Sequence, residues 1–258
     1  MLCERRELLF NNLEVCQITS VGDREINQDC MAYTLSAEYA LFVVADGLGG
    51  HKFGEKASKF FCQGMFKLAA QYQKLLQQGT EEQAKKVLAT WISAAVDEMK
   101  VLFKGAKEGL DSHTTCAVLY LDKNYTLTAH CGDSRIYRLN EKEVLWRTKD
   151  HSLIQDQLNN GVISEHDMGL HPEQNQLLRT INILKQYQAE INSYPPIKKG
   201  ETFLLCTDGF WEFLKERDLL QLSTPQSGKD ELRKTAKMMH LRAKGRGDNL
   251  TVQWLRLL

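Results

Sequence analysis

The passage Leu41–Gly54, LFVVADGLGGHKFG, restricts this chain more than any other, because an unbroken apolar run ends on one acid, Asp46, and then on a loop with four glycines. Such a strand end lifts a carboxylate out of the core onto a rim where backbone can approach a ligand closely. The device recurs at Phe203–Gly209, FLLCTDG, where an apolar strand delivers Asp208. Two Gly-Asp pairs, Gly132-Asp133 and Gly247-Asp248, flank further strand-like runs. The chain thus reads as presenting four acids in one and the same way.

The 258 residues suffice for a full core, in one domain or two small ones. With 33 basic and 33 acidic residues the formal net charge is zero, so no electrostatic case arises for nucleic acid or a membrane surface. Acids clustered within a neutral chain point instead to cations. The N-terminus, MLCERRELLFNNLE, mixes charges into its apolar residues and does not read as a signal peptide. The longest clean apolar run, Tyr39–Ala45, is far too short to span a bilayer. Seven cysteines without a CxxC pair fit reduced thiols used as small core residues, so a cytoplasmic protein is expected.

Leu13–Ser20 alternates weakly and reads as a first strand, followed by a hairpin of Cys30–Leu35 and Tyr39–Ala45. The period then changes: Ala57, Phe61, Met65, Leu68 and Tyr72 keep helical spacing, so Phe53–Leu76 is one amphipathic helix. Thr80-Glu-Glu-Gln83 has the form of a capping box opening a second helix through Leu102. The two helices are expected to pack antiparallel against a sheet. Strands are predicted at Thr114–Leu121, Tyr125–His130, Arg135–Leu139, Glu143–Trp146, Phe203–Cys206 and Leu250–Leu257, and helices at Phe210–Leu220 and Asp230–Arg242. Between Thr148 and Ser193 the pattern is mixed and polar, with one short helix near Leu153–Asn160, which reads as a surface flap. Strands in runs, not alternating βαβ units, argue for α+β with antiparallel sheets, and the economical expectation is one domain over 1–258.

Four acids on one rim repel and hold their protons unless cations sit among them. Oxygen ligands without nearby His or Cys select hard cations, Mg²⁺ or Mn²⁺ over zinc. Asp46 is the natural bridge between two such ions, with the Gly47 carbonyl as a further oxygen ligand, a site that activates water for in-line attack on phosphorus. Asp-Gly is also a common turn dipeptide. What sets these four apart is that each abuts an apolar strand.

Read in order, the chain carries RxxNQD at Arg24–Asp29, DGLGGHxxGExAS at Asp46–Ser58 and the Thr114-Thr115 pair. GDSRxY at Gly132–Tyr137, DHS at Asp150–Ser152, LLCTDGFWE at Leu204–Glu212 and GDNLTV at Gly247–Val252 follow. This order resembles the metal-dependent type 2C serine/threonine protein phosphatases, in their compact bacterial form, from about residue 15 to 256. The resemblance implies a four-layer α/β/β/α sandwich of two antiparallel sheets, each covered by a helix pair, with two metals at one end. By motif, Asp46 bridges both ions, the Gly47 carbonyl ligates one, and Asp208 and Asp248 hold the other. Asp133 matches a ligand of a third, weaker ion, and Asp29 supports the water network around the metals. Arg24 matches the arginine that clamps phosphate, a role its guanidinium fork suits.

Three positions depart from the family pattern. Gln28 stands where many members have Glu, which removes a charge but keeps a hydrogen-bond acceptor. Leu48 stands two residues after Asp46, where animal members carry a His proposed as general acid, and His51 is the nearest His in sequence. His113 replaces a Gly before the Thr pair, at a cost only if the backbone there needs positive φ. The implied activity is hydrolysis of phosphoserine and phosphothreonine on protein targets of a Ser/Thr kinase, by direct attack of a metal-activated water. A monomer is expected, acting on neither nucleic acid nor membrane. The alternatives are a catalytically weak binding or regulatory module of the same fold, which the retained acids oppose, and a metal-dependent nuclease, which would want a basic groove.

Overall fold

The computed structural model describes residues 12–48, 53–104 and 111–258. Its spine is strand β3 (Tyr39–Leu48). Leu41, Val43 and Ala45 point into one core, and Ala40, Phe42 and Val44 into another. All six are fully buried, which is why the run is apolar throughout: alternation vanishes when both faces of a strand are covered.

Around β3 the seven-stranded sheet assembles from β2 (Asp29–Leu35), β5 (Cys116–Asp122), β6 (Thr126–Cys131) and β10 (Glu190–Tyr194). Two short strands extend the far end of β3: β4 (His113–Thr114) pairs with β3, and β9 (Ile181–Asn182) pairs with β4. The five-stranded sheet runs in the order β1 (Leu13–Ser20), β12 (Leu250–Leu257), β11 (Thr202–Cys206), β7 (Arg135–Leu139), β8 (Val144–Arg147). All these pairings are antiparallel. Phe42, Leu119, Ile136, Phe203 and Leu255 fill the layer between the sheets. Each fully buried Leu or Phe there stabilises the fold by about 1.5–3 kcal/mol.

Helices α1 (Gly54–Leu76) and α2 (Glu81–Leu102) cover the outer face of the larger sheet. Trp91 of α2 is fully buried, stacks on Tyr72 with centroids 5.6 Å apart and donates its indole N–H to the Met65 carbonyl at 3.1 Å. The capping box is present: Thr80 N–H donates to Gln83 Oε1 at 2.8 Å and Gln83 N–H to Thr80 Oγ1 at 3.4 Å. The outer face of the smaller sheet carries α4 (Asp208–Trp211), α5 (Glu216–Leu222) and α6 (Lys229–Ala243). The expected sandwich is therefore correct, with three helices where a pair was expected.

Local expectations needed correction in three places. Phe210–Leu220 is two helices, α4 and α5, with a break between them. The polar excursion after Thr148 holds α3 (Leu153–Asn159) and a 3-10 turn at Glu165–Leu170, but its end returns as β10 on the edge of the larger sheet, paired with β6. β10 is at best half-buried and packs a single apolar residue, Ile191, on the core, so its sequence carries little apolar signal. β3 runs on through Asp46 to Leu48, so this acid lies within a strand and not beyond its end.

At Gly64, α1 approaches α2 so closely that a Cβ would sit 2.9 Å from both Cα and O of Ala95. Gly64→Leu is expected to pry the helices apart and lower unfolding free energy by about 1–3 kcal/mol in urea denaturation. Because the clash is with backbone, Ala95→Gly should not rescue it.

Candidate metal centre

The alternation that sends Phe42 and Val44 between the sheets sends Asp46 there too, at the end of the sandwich where the apolar layer stops. Asp29 lies directly opposite it in the β2–β3 register. Like charges so placed are destabilising by themselves. From the facing sheet, Thr207, the residue after β11, donates its Oγ1–H to Asp29 Oδ2 at 2.8 Å. Asp208 follows as the first residue of α4, Asp248 lies in the loop before β12, and Asp133 sits in the β6–β7 turn beyond Gly132. The acids thus reach one rim by different local structures, contrary to the uniform presentation read from their Asp-Gly neighbours.

The surrounding backbone is fixed by hydrogen bonds. Asp46 N–H donates to Thr115 Oγ1 at 2.9 Å, and its carbonyl accepts from Thr115 N–H at 2.8 Å and from Thr114 Oγ1 at 2.9 Å. Thr115 Oγ1 lies 2.7 Å from Ser134 Oγ, tying the Asp133 turn to Asp46. Asn249 fastens the Arg24 loop: its Oδ1 accepts from Gln28 N–H at 2.7 Å, and its Nδ2 donates to the Val21 and Ile26 carbonyls at 2.8 and 3.0 Å. Arg24 then reaches Asp248, with Nη2 donating to Oδ2 at 2.8 Å, while its side chain remains 58% exposed. Gly47 and Gly54 lie nearly in contact. A Cβ on Gly54 would stand 2.5 Å from Gln28 Nε2 and 2.8 Å from the Gly47 carbonyl oxygen, so only glycine fits against that oxygen.

Burial, then mutual repulsion, governs these carboxyls. Asp46 is pushed well above the ordinary range by burial and by Asp29, Asp133 and Asp248. Asp208 is raised likewise by burial and by Asp46, Asp133 and Glu212. Burial lifts Asp29 to about 7 against the hydrogen bond from Thr207, and lifts Asp133 to about 7 with help from Asp150. The nearby Arg135 relieves Asp133 only in part. Its guanidinium is taken by Asp150 through bonds of 2.8 and 2.6 Å and stacks 3.5 Å from the Trp211 ring centroid.

Two buried oxygens, Asp29 Oδ1 and Asp133 Oδ1, have no hydrogen-bond partner. With an all-oxygen donor set, carboxyls that resist ionisation and these two unpartnered oxygens, the site fits hard divalent cations. The tightest ligand group among the described residues lies elsewhere: His130, His151 and Glu190 bring three donor atoms within 4.8 Å of one another. Those two imidazoles are stacked, with centroids 4.6 Å apart and planes at 8°. Their in-plane lone pairs cannot converge on one ion. The acids are more widely spread than that trio, as suits ions that keep water among their ligands.

Arg24, Asp29, Asp46, Gly47, Asp133, Asp208 and Asp248 are therefore neighbours, as expected. Glu212 was missed. It is raised to about 8 by burial, Asp248 and Asp133, and the signal for it was its place one helical turn after Asp208. His113 has ordinary strand backbone, since Phe53 and Lys244 are the non-glycine residues with positive φ among those described, so its replacement of Gly carries no strain. Leu48 faces it across the β3–β4 pair. Gly49, Gly50 and His51 lie outside the described residues.

A sequence profile described as "Protein phosphatase 2C" matches residues 20–251. The chain is 29% identical over 219 residues to serine/threonine phosphatase stp of Listeria welshimeri, covering 82% of each. Its fold is similar to that of serine/threonine phosphatase Stp1 from Staphylococcus aureus, with TM-score 0.79, 22% identity and 100% of both chains covered. It is likewise similar to the catalytic domain of protein phosphatase PstP solved in complex with two manganese ions, with TM-score 0.73, 22% identity and coverage of 95% of this chain and 97% of that one.

Stability of the metal-free protein should depend on pH in a defined sense. Asp29 and Asp133 go from 3.8 unfolded to about 7 folded, and Glu212 from 4.5 to about 8. Across that window the folded state holds protons the unfolded state has lost, so stability falls as pH rises. His130 and His151, lowered by burial, act oppositely but are outnumbered by the carboxyls. Calorimetric Tm of metal-free protein is expected to fall between about pH 4 and pH 8, and Mn²⁺ to flatten that slope. A metal-free Tm rising over the same interval would contradict this electrostatic account.

Proposed function

The chain belongs to the protein phosphatase 2C family and is a protein serine/threonine phosphatase, and from that premise we propose a division of labour among its rim residues. Asp46, the Gly47 carbonyl, Asp208 and Asp248 would hold two divalent cations, Mn²⁺ or Mg²⁺, with Asp46 shared between them. Asp133 would serve a third, weaker ion, and Asp29 would order water beside Asp46. The observation that carries this reading is the convergence of acids whose protons are held by burial and mutual repulsion, with Arg24 meeting them at the edge through Asp248. When bound, such ions supply charge neutralisation and an activated water for attack at phosphorus.

The chain's own residues do the rest. Arg24 has five guanidinium N–H donors, and Asp248 accepts from one nitrogen, so the others face a phosphate monoester at the exposed rim. Asn249 holds the Arg24 loop in register with Asp248, so the phosphate clamp and a metal ligand move as one unit. Thr207 holds Asp29 Oδ2 while the other oxygen stays free. We assign the whole chain to one catalytic domain acting on phosphorylated proteins. No helix among the described residues is long and apolar enough to cross a membrane. A regulatory module without activity finds no support, because Asp46, Asp208 and Asp248 are all present and clustered.

Phosphate release from an aryl phosphate and from phosphothreonine peptides tests this reading. Mn²⁺-dependent turnover is expected, and Asp46→Asn should lower kcat on the order of 10³-fold, corresponding to about 4 kcal/mol of lost charge stabilisation. Turnover that survives thorough chelation, or is unchanged in Asp46→Asn, contradicts it. Arg24→Ala should lower kcat/KM by roughly 10–100-fold, the worth of hydrogen bonds to a charged group, with Arg24→Lys intermediate.

A further inference from the structure

A groove of about 710 Å³ begins at the rim and leads away from it. Glu212 and Trp211 form its inner end, and Glu212 also feels the charge of Arg24 and of the site acids, so the groove opens beside the phosphate position. The 3-10 turn of the polar excursion makes one wall, and the starts of α5 and the end of α6 make the other.

The charges lining it are unevenly paired. Arg135, Arg147 and Arg242 are neutralised by Asp150, Glu165 and Asp218 at 2.6, 2.6 and 2.5 Å. Lys215, Lys244 and Arg246, all exposed and all lining the groove, have no ion-pair partner among the described residues. Beyond Glu165 and the site's own Glu212, the acid lining it is Glu216. The apolar lining includes half-buried Trp146 and Leu214, and Leu170 on the overhanging turn is 66% exposed. Free positive charge beside uncovered apolar surface, next to a phosphate site, is complementary to an acidic chain carrying a bulky apolar residue.

We propose that this groove docks the substrate polypeptide next to its phosphorylated residue, and selects flanking sequence that combines Asp or Glu with a large apolar side chain. This rests on the phosphatase reading and adds a substrate preference to it. An aryl phosphate has no flanking chain to lay along the groove, so it serves as the internal reference.

The test compares phosphothreonine peptides of equal length with one Leu or Phe and either two Glu or two Gln, placed on either side of the phosphoresidue. At about 0.05 M salt the Glu peptide on at least one side should show roughly tenfold higher kcat/KM than its Gln counterpart, shrinking by about 0.5 M salt. Lys215→Glu/Arg246→Glu should abolish the preference while aryl phosphate turnover stays, and the milder Lys215→Gln/Arg246→Gln should fall between. Equal turnover of Glu and Gln peptides overturns the proposal, as does a preference that survives the double reversal. Absence of turnover on every phosphorylated probe would instead remove the phosphatase reading, and the groove's role with it.

Discussion

The structure depends on an unfavourable contact. Asp46 and Asp29 stand opposite each other on neighbouring strands, and Asp133, Asp208 and Glu212 close around them with burial holding their protons, beside Asp248. Left alone, this end of the sandwich would be its weak point. It persists because the layers behind it are rigid: β3 is buried on both faces, and the Thr115–Ser134 and Asn249 contacts fix the backbone from which the acids project. The core thus supports a cluster that divalent cations, in the proposed reading, would make favourable.

The same geometry explains why the protein's own cations are kept away. Arg135 lies close enough to lower the Asp133 carboxyl, yet Asp150 and the Trp211 ring hold it in place. Arg24 comes in only from the exposed side and touches a single acid. Neutralisation from within would remove the attraction for metal. Held at the edge, Arg24 leaves the centre to the cations proposed there and would clamp the proposed phosphate.

Much of this was legible in the sequence because the core obeys periodicity. β1 and β12 fall on their predicted limits, the Thr80–Gln83 box caps α2 as expected, and the helical spacing from Ala57 to Tyr72 matches α1. The acids were found because each adjoins a glycine at the end of an apolar run. What stayed hidden had no periodic signature. β10 is an edge strand without an apolar stripe, Glu212 required knowing that α4 starts at Asp208, and the Asn249 clamp joins residues more than 220 positions apart. The unpaired cations of the groove come from α5 and from the segment after α6, which only the fold brings together.

The most direct test of the central claim is anomalous diffraction from crystals of the protein grown with Mn²⁺. Two strong peaks within ligand distance of Asp46, with Asp208 and Asp248 around one of them, are the expected result. Peaks at His130, His151 and Glu190 instead, or none beside Asp46 at saturating Mn²⁺, would contradict it.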